Sequence, residues 1–207
     1  MIKMKKVILF ILIIGGLVLA GIWWGNSFNN SKKSNYQAER SNNKINEVTI
    51  TKKEIEIANF STKIYNKDEE RQNNIGITCR TLSTKEVKPG EIFSFCDVVG
   101  KATHEKGYEE ADIYVDGRKE QGLGGGNCQV STTLYNAVIQ VSGLEVIERH
   151  PHSGNVPYIE QGKDAAVAYG NYDFKFRNNT ENEIKIVMQN TPDTIIAKLI
   201  KIEYTKD

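Results

Sequence analysis

The chain has 207 residues, with 27 Lys and Arg against 26 Asp and Glu, so its formal net charge at pH 7 is +1. So balanced a charge gives no support to a nucleic-acid partner. A chain of this length, with a hydrophobic fraction of 39%, suits one domain with a tail or two small units.

An apolar run occupies residues 7–24 near the N-terminus, and three of the six residues before it are lysines. The run is long enough to cross a bilayer, and the preceding lysines predict a cytoplasmic N-terminus with the rest of the chain outside. The alternative is a signal peptide cleaved after Ala20. We expect residues 1–24 to be an uncleaved N-terminal membrane anchor. The protein would then be a single-pass protein of the cell membrane, with its domain on the extracytoplasmic side.

Residues 25–47 are rich in Asn, Ser and Lys and contain few apolar side chains. Such a composition cannot bury enough apolar surface to fold, so it predicts a flexible stalk. The rest of the chain, residues 48–207, is predicted to form one extracytoplasmic domain.

Within this domain helical patterns come early and strand patterns late. Acidic residues open a predicted helix over Asp68–Leu82, and Asp116-Gly117 is typical of a hairpin turn. Predicted strands cover Val48–Ala58, Ile92–Phe95, Leu144–Arg149, Asp164–Gly170, Asp173–Arg177, Glu183–Met188 and Thr194–Tyr204. The order indicates an α+β fold, with a few helices and a largely antiparallel sheet.

A glycine-rich loop that includes Gly124, Gly125 and Gly126 leads directly to Cys128. The residues that follow show helical spacing, with apolar side chains at Leu134, Ala137, Val138 and Val141, and Gly143 is predicted to end the helix. Cys128 is therefore predicted at the start of a helix, where the unpaired N–H groups and the helix dipole favour a thiolate. The glycines leave room for a substrate to approach the sulfur.

The segment GGGNCQVSTTLYNA at 124–137 is similar to the signature of the VanW family, which is named from glycopeptide-resistance clusters. The similarity continues through ERHPHS at 148–153 and YDFKFRN at 172–178, and it covers roughly residues 58–190. One departure is Cys96, which stands where the family usually has Asn. The resemblance implies a bacterial extracytoplasmic domain with a role connected to the cell wall.

Three residue types of acyl-transfer sites follow one another along the chain. In papain-like and transglutaminase-like enzymes a nucleophilic cysteine precedes a histidine base and an acidic residue that orients the base. Here Cys128 would be the nucleophile, His150 or His152 the base, and Asp164 or Asp173 the orienting acid. Backbone N–H groups at the helix start would bind the oxyanion.

Candidate ligand-binding residues surround this constellation. Tyrosine offers a flat face and a hydroxyl to a glycan or peptide, and Gln129 directly follows the cysteine. The residues assigned to binding are Gly124, Gly125, Gly126, Gln129, Ser131, Tyr135, Arg149 and Tyr158. The expected ligand is a cell-wall peptide or glycan.

A zinc site formed by Cys128, His150 and His152 is an alternative use of the same residues. Pro151 interrupts the strand between the two histidines, and neither a Cys-x-x-Cys nor a His-Glu-x-x-His pattern is present. We therefore expect no metal and no other cofactor. The three cysteines, an odd number, leave at least one free thiol, and the pairing of Cys79 with Cys96 stays open.

Two functions remain after the sequence is considered alone. The first is a cysteine-dependent acyl-transfer or peptidase-like activity on peptidoglycan peptides. The second is a non-catalytic module that binds peptidoglycan or acts as a scaffold through the same pocket. A histidine nitrogen within hydrogen-bond reach of the Cys128 sulfur, inside a cleft, would favour the enzyme.

Overall fold

The computed structural model describes residues 50–115 and 118–206. The described residues belong to a compact unit that begins at Ile50. None of their helices has the length and apolar character needed to cross a membrane. The predicted anchor (1–24) and stalk (25–47) lie outside the described residues, so these two assignments and the domain boundary at residue 48 stay predictions.

The described chain contains three helices, one 3-10 turn and nine strands, of which β1 and β9 are the longest strands. In chain order they are β1 (Ile50–Lys63), α1 (Glu69–Leu82), β2 (Glu86–Val87), β3 (Ile92–Ser94), α2 (Phe95–Val99), a 3-10 turn (His104–Lys106), β4 (Glu110–Val115), β5 (Arg118–Leu123), α3 (Asn127–Val138), β6 (Leu144–Glu148), β7 (Lys175–Asn178), β8 (Glu183–Asn190) and β9 (Thr194–Lys206). All the strand pairs are antiparallel. The predicted α+β class is confirmed.

A four-stranded sheet in the order β1-β9-β8-β2 forms one side of the core. In β8 and β9 buried and partly exposed residues alternate, because one face of the sheet packs on α1 and α3. The buried side chains of this face are Ile184, Ile186, Met188, Ile195, Ala197 and Leu199. The sheet therefore gives α3 a rigid apolar support.

A second sheet, in the order β3-β7-β6, contributes an aromatic cluster to the core. The rings of Phe93 and Phe176 stack with centroids 4.9 Å apart, and Tyr135 of α3 meets Phe174 edge-on at 5.6 Å. Such ring pairs stabilise beyond the area they bury. The helix α3 is thus held between the two sheets. The predicted hairpin is formed by β4 and β5, and its turn lies outside the described residues.

The helix α3 ends earlier than its sequence pattern predicts. It stops at Val138, and Gly143, with φ of 95°, lies in the turn before β6. The chain has to reverse here because β6 begins at Leu144, which pairs with Asn178 of β7. The left-handed conformation of Gly143 therefore serves the turn and does not cap the helix.

The predicted strand over Asp164–Gly170 is also wrong. Only two isolated bridges occur there, between His150 and Ala166 and between Ala168 and Tyr172. Apart from these bridges, the N–H groups of Ala165 and Val167 donate to side chains of α3 and not to a neighbouring strand. The segment therefore lies along the helix that carries Cys128.

Candidate active site

The glycine loop fits closely between α1 and β4. Gly126 precedes the helix with φ of 112°, and a Cβ atom on it would lie 2.7 Å from Cγ1 of Ile75. A Cβ atom on Gly125 would lie 2.7 Å from the carbonyl oxygen of Asp112. Larger residues would have to displace the loop. The loop thus fixes Cys128 as the second residue of α3.

Side chains four residues apart on α3 hold the extended segment 163–167. Val167 N–H donates to Cys128 Sγ at 3.5 Å, Ala165 N–H donates to Thr132 Oγ1 at 2.9 Å, and Asn136 Nδ2 donates to the Lys163 carbonyl at 2.7 Å. Four helical residues rise about 6 Å and two extended residues about 6.6 Å, so the two elements stay in register. This match places Val167 at the start of α3, and Asp164 lies between the levels of Thr132 and Asn136.

Both carboxylate oxygens of Asp164 accept hydrogen bonds. Oδ2 accepts from the backbone N–H of His152 at 2.5 Å and lies 2.6 Å from Nδ1 of the same residue. Oδ1 accepts from Arg149 Nη2 at 2.8 Å. Burial alone would raise the pKa of Asp164, but the hydrogen bonds from His152 lower it below its usual value. Asp164 is therefore a carboxylate that fixes both the position and the tautomer of His152.

His152 lies near Cys128 in the wall of the same cleft. Because Nδ1 is bonded to Asp164, Nε2 is the nitrogen left for the sulfur. Burial lowers the pKa of His152, but hydrogen bonding and charge from Cys128 and Asp164 outweigh it and raise the pKa above the usual value. A raised pKa favours the imidazolium, the form that pairs with a thiolate.

Cys128 and His152 open onto a cleft of about 470 Å³. Its wall includes the three glycines of the loop and Tyr158. Burial raises the pKa of the Tyr158 hydroxyl, which lies near Thr132 and Cys128. A cleft of this size is in the range of small-ligand sites.

The start of α3 provides a donor for a developing oxyanion. Asn127 N–H donates to the Gly124 carbonyl, and the N–H groups of Gln129 and Val130 both donate to the Gly126 carbonyl. No acceptor for the N–H of Cys128 is found in the described part of the chain. This group lies at the positive end of the helix dipole, where oxyanion stabilisation is effective.

The other histidine and acid predicted as alternatives bond elsewhere. His150 Nε2 lies 2.9 Å from Glu148 Oε1, and its ring packs on Tyr172. Asp173 accepts from Ser94 Oγ at 2.6 Å and from the backbone N–H of Cys96 at 2.9 Å. Of the sequence alternatives, the structure brings His152 and Asp164 to Cys128, and it does not bring His150 or Asp173 there.

Three residues predicted to bind ligand have bonding or packing roles inside the domain. Gln129 is 2% exposed, and its amide joins Arg71 to the end of β1. Ser131 is fully buried, and Tyr135 packs on the second sheet with Arg149 over its ring at 5.6 Å. Neither Ser131 nor Tyr135 lines the cleft. Arg149, also predicted to bind ligand, forms an ion pair with Asp164.

All three cysteines are free thiols. Burial raises the pKa of the Cys79 thiol to about 12, and burial together with the Asp173 carboxylate raises that of Cys96 to about 12. Of the three, only Cys128 has a histidine partner among the described residues. Within those residues no cluster of three metal-binding side chains occurs.

Two residues of the site, Thr132 and Arg71, were not among the residues predicted from the sequence. Thr132 lies one helical turn after Cys128, so the four-residue spacing could have indicated that it shares a face with the cysteine. Arg71 belongs to α1, more than fifty positions earlier in the chain. No local signal connects it to Cys128, because the two meet only through tertiary packing.

Comparison with known proteins assigns the chain to a family. The family described as VanW like protein matches residues 70–200. The chain is 40% identical over 131 residues to the uncharacterized protein YoaR of Bacillus subtilis, covering 63% of this chain and 43% of that protein. It is 31% identical over 134 residues to the vancomycin B-type resistance protein VanW of Enterococcus faecalis, covering 61% of this chain and 47% of that protein.

The chain spans less than half the length of each of these two relatives. No solved structure matches it significantly. The matched range contains α3 with Cys128, as well as His152 and Asp164. The chain therefore belongs to the VanW family.

Proposed function

We propose that this VanW-family domain is a cysteine-dependent acyl-transfer enzyme that acts on peptides of the bacterial cell wall. The observation that carries the proposal is the alignment of Cys128, His152 and Asp164 at the edge of a cleft. Nucleophile, base and orienting acid are the three roles that such catalysis requires. The cell-wall substrate is supported by the vancomycin-resistance name of one relative.

In the proposed reaction the Cys128 thiolate attacks a peptide carbonyl carbon, and a C–S bond forms. The oxyanion is bound by the Cys128 N–H at the start of α3. The C–N bond then breaks, and the His152 imidazolium gives its proton to the leaving amine. Water or an acceptor amine, deprotonated by His152, then attacks the thioester and releases the acyl group with the thiolate restored.

Two backbone contacts hold the sulfur in place before the reaction. In the thiol form Cys128 Sγ donates to the Val167 carbonyl at 3.4 Å, and Val167 N–H donates to Sγ at 3.5 Å. The second bond persists in the thiolate and stabilises it. The nucleophile is thus fixed against a rigid segment, which keeps it in line with the cleft.

The second candidate is a non-catalytic module that binds peptidoglycan or acts as a scaffold through the same cleft. It is favoured by the aromatic residues at the cleft, where Tyr158 lies in the wall and Tyr169 is 59% exposed. A flat ring next to a hydroxyl suits a sugar or a peptide plane. In this case Cys128 would contact a ligand without reacting with it.

Purified peptidoglycan incubated with the protein distinguishes the two candidates. The proposal expects wild-type protein to change the muropeptide profile seen by mass spectrometry, and Cys128→Ala protein to leave it unchanged. Sedimentation with the same peptidoglycan measures binding for both proteins. An unchanged profile with wild-type protein that still sediments would establish the binding module and exclude the enzyme.

We also propose that the protein acts at the outer side of the cell membrane. Basic residues before the apolar run 7–24 support an anchor in the cell membrane, with the domain outside. Protease added to cells without their wall should then digest the domain. Full protection of the domain would contradict this location.

A further inference from the structure

Arg71 of α1 brings an unneutralised positive charge to the cleft. Its Nη2 donates to Gln129 Oε1 at 2.8 Å, and its Nε is buried and without a hydrogen-bond acceptor among the described residues. Within the described chain no carboxylate forms an ion pair with it. A guanidinium that is partly removed from water and has no counter-ion is costly, so its presence in a cleft wall indicates an anionic ligand.

The position of Arg71 is fixed by the residue that follows the nucleophile. The amide nitrogen of Gln129 donates to the Lys63 carbonyl at 3.0 Å and to Thr62 Oγ1 at 3.2 Å, so its oxygen can only face Arg71. Because Gln129 directly follows Cys128, the guanidinium lies close to the start of α3. Arg71 and Cys128 both line the cleft and both act on the Tyr158 hydroxyl, so the charge and the sulfur lie in the same part of the cleft.

The acidic groups near the cleft are already paired with cations. Asp112 forms an ion pair with Lys119 at 2.6 Å, and Asp164 forms one with Arg149 at 2.8 Å. Lys119 is the main cause of the lowered pKa of Asp112, and the charge of Arg71 contributes to it. Lys101, which is exposed, adds a further positive charge to the wall. The part of the wall that contains Arg71 therefore carries excess positive charge, whereas the carboxylates Asp173, Asp97 and Glu148 act on the part that contains Cys96.

We infer that Arg71 is a specificity-determining residue that binds a substrate carboxylate next to the carbonyl attacked by Cys128. Guanidinium is the side-chain group that best matches a planar carboxylate, through two parallel hydrogen bonds. The substrate class is then a peptide with a free carboxylate, on its C-terminus or on a side chain close to the reacting bond. This inference rests on the proposed acyl transfer at Cys128.

Two alkylating reagents that differ only in charge test the inference directly. Iodoacetate and iodoacetamide both alkylate a thiolate with loss of iodide, but only iodoacetate carries a carboxylate. The rates at Cys128 are measured for each reagent at pH 7 by mass spectrometry. Their ratio, iodoacetate over iodoacetamide, should fall about tenfold in Arg71→Gln, the size expected for the loss of one charge-assisted hydrogen bond.

A matched control and a conservative variant keep the test specific. Arg80→Gln removes the same charge from an exposed position on the same helix, and it should leave the ratio unchanged. Arg71→Lys should retain part of the preference, because the charge remains without its planar fork. The iodoacetamide rate should stay within about twofold of wild type in Arg80→Gln, and circular dichroism shows whether all three variants are folded. The ratio of the two reagents corrects for any change in the thiolate fraction that the loss of the Arg71 charge causes.

Short peptides distinguish the two sources of the carboxylate. Protection of Cys128 from iodoacetamide is measured with a tripeptide acid, its C-terminal amide, and amidated peptides that contain Glu or Gln. Protection by the acid alone assigns the C-terminal carboxylate, and protection by the Glu peptide alone assigns a side-chain carboxylate. An alkylation ratio that is equal in wild type and Arg71→Gln, with equal protection by acids and amides, would overturn the inference. Slow iodoacetamide alkylation of wild-type Cys128 would instead contradict the proposed acyl transfer.

Discussion

Asp164 determines how His152 can act, because it bonds both to the ring and to the backbone of that residue. Its second oxygen is held by Arg149, whose side chain is 21% exposed, while that of Asp164 is 8% exposed. Breaking one partner of a buried ion pair leaves an uncompensated charge, which costs more than the pair contributes. The Asp164 carboxylate should therefore matter both for folding and for the reactivity of Cys128.

Asp164→Asn should lower the free energy of unfolding by about 3 kcal/mol near neutral pH, because Arg149 loses its counter-ion. The pKa of Asp164 is lowered in the folded protein, so its contribution is present above the unfolded value of about 3.9 and is lost as the pH falls through the folded value. Urea unfolding of wild type and variant at several pH values measures this. A difference that stays constant from pH 7 down to pH 2 would contradict the assignment.

For single residues, the sequence could predict candidates for the base but could not decide between His150 and His152. His150 and His152 are two apart, a spacing that places side chains on one face of a regular strand. In the structure His150 bridges to Ala166, whereas His152 lies beyond Pro151, where the strand has ended. The choice depends on the path of the chain after β6, and a single sequence carries no clear signal for that path.

The contact between α3 and the segment 163–167 is the element-scale feature that assembles the site. Thr132 is central to it, because its hydroxyl accepts from the Ala165 N–H at 2.9 Å and lies 3.5 Å from the Ala165 carbonyl. The contact also explains why a strand was predicted wrongly for Asp164–Gly170. The segment is extended, and its sequence has the two-residue period of a strand. A row of side chains on α3 takes the place of the neighbouring strand.

Thr132→Val should lower the free energy of unfolding by about 1–2 kcal/mol, because the buried Ala165 N–H loses its acceptor. It should also slow the alkylation of Cys128, since Asp164 and Val167 lie on the same segment. Thr81→Val is the matched control, because its hydroxyl bonds only within α1, to the Ile77 carbonyl. Thermal unfolding and alkylation rates check both effects. Equal behaviour of the two variants would mean that the segment is held by other contacts.

On the scale of the whole molecule, the described domain begins before the range matched by the family. The strand β1 pairs with β9 along almost its full length, and the core includes Ala58 and Ile64. The end of β1 also touches the active-site helix, where Thr62 Oγ1 lies 2.8 Å from Thr133 Oγ1. Residues 50–69 are thus part of the folded unit. The start of the domain at residue 48 stays a prediction.

Two truncations measure where the folded unit begins. A protein starting at residue 48 should unfold in one cooperative transition, with a midpoint within a few degrees of the full chain, because the predicted stalk contributes no apolar burial. A protein starting at residue 66 should fail to fold, since it leaves the edge of β9 and the buried side of α3 uncovered. Circular dichroism during heating checks both. A stable protein from residue 66 would contradict the role given to β1.

The α+β class could be predicted from the sequence because the strands of the large sheet alternate clearly. Ile184, Ile186 and Met188 mark one face of β8, and the acidic start of α1 marks a helix boundary. The hairpin of β4 and β5 was predicted from its turn residues, but the division of the other strands into two sheets could not be predicted. It is decided by long-range pairs such as β1 with β9, which no local pattern encodes.

The central claim, that Cys128 is a nucleophile activated by His152, is tested most directly by the pH dependence of Cys128 alkylation. Iodoacetamide rates are measured from pH 4.5 to 9 and resolved by residue with mass spectrometry, in wild type, His152→Ala and His150→Ala. Because the His152 pKa is raised, the ring stays protonated to a higher pH than usual, and an imidazolium beside the sulfur favours the reactive form of the nucleophile. We predict that Cys128 reacts near pH 6 at least tenfold faster than a free thiol such as N-acetylcysteine, whose pKa is about 8.5. Cys79 and Cys96, whose pKa values are about 12, should stay unreactive. His152→Ala should abolish this advantage and His150→Ala should retain it. A Cys128 that stays unreactive until the protein unfolds, or that reacts equally in all three proteins, would contradict the account.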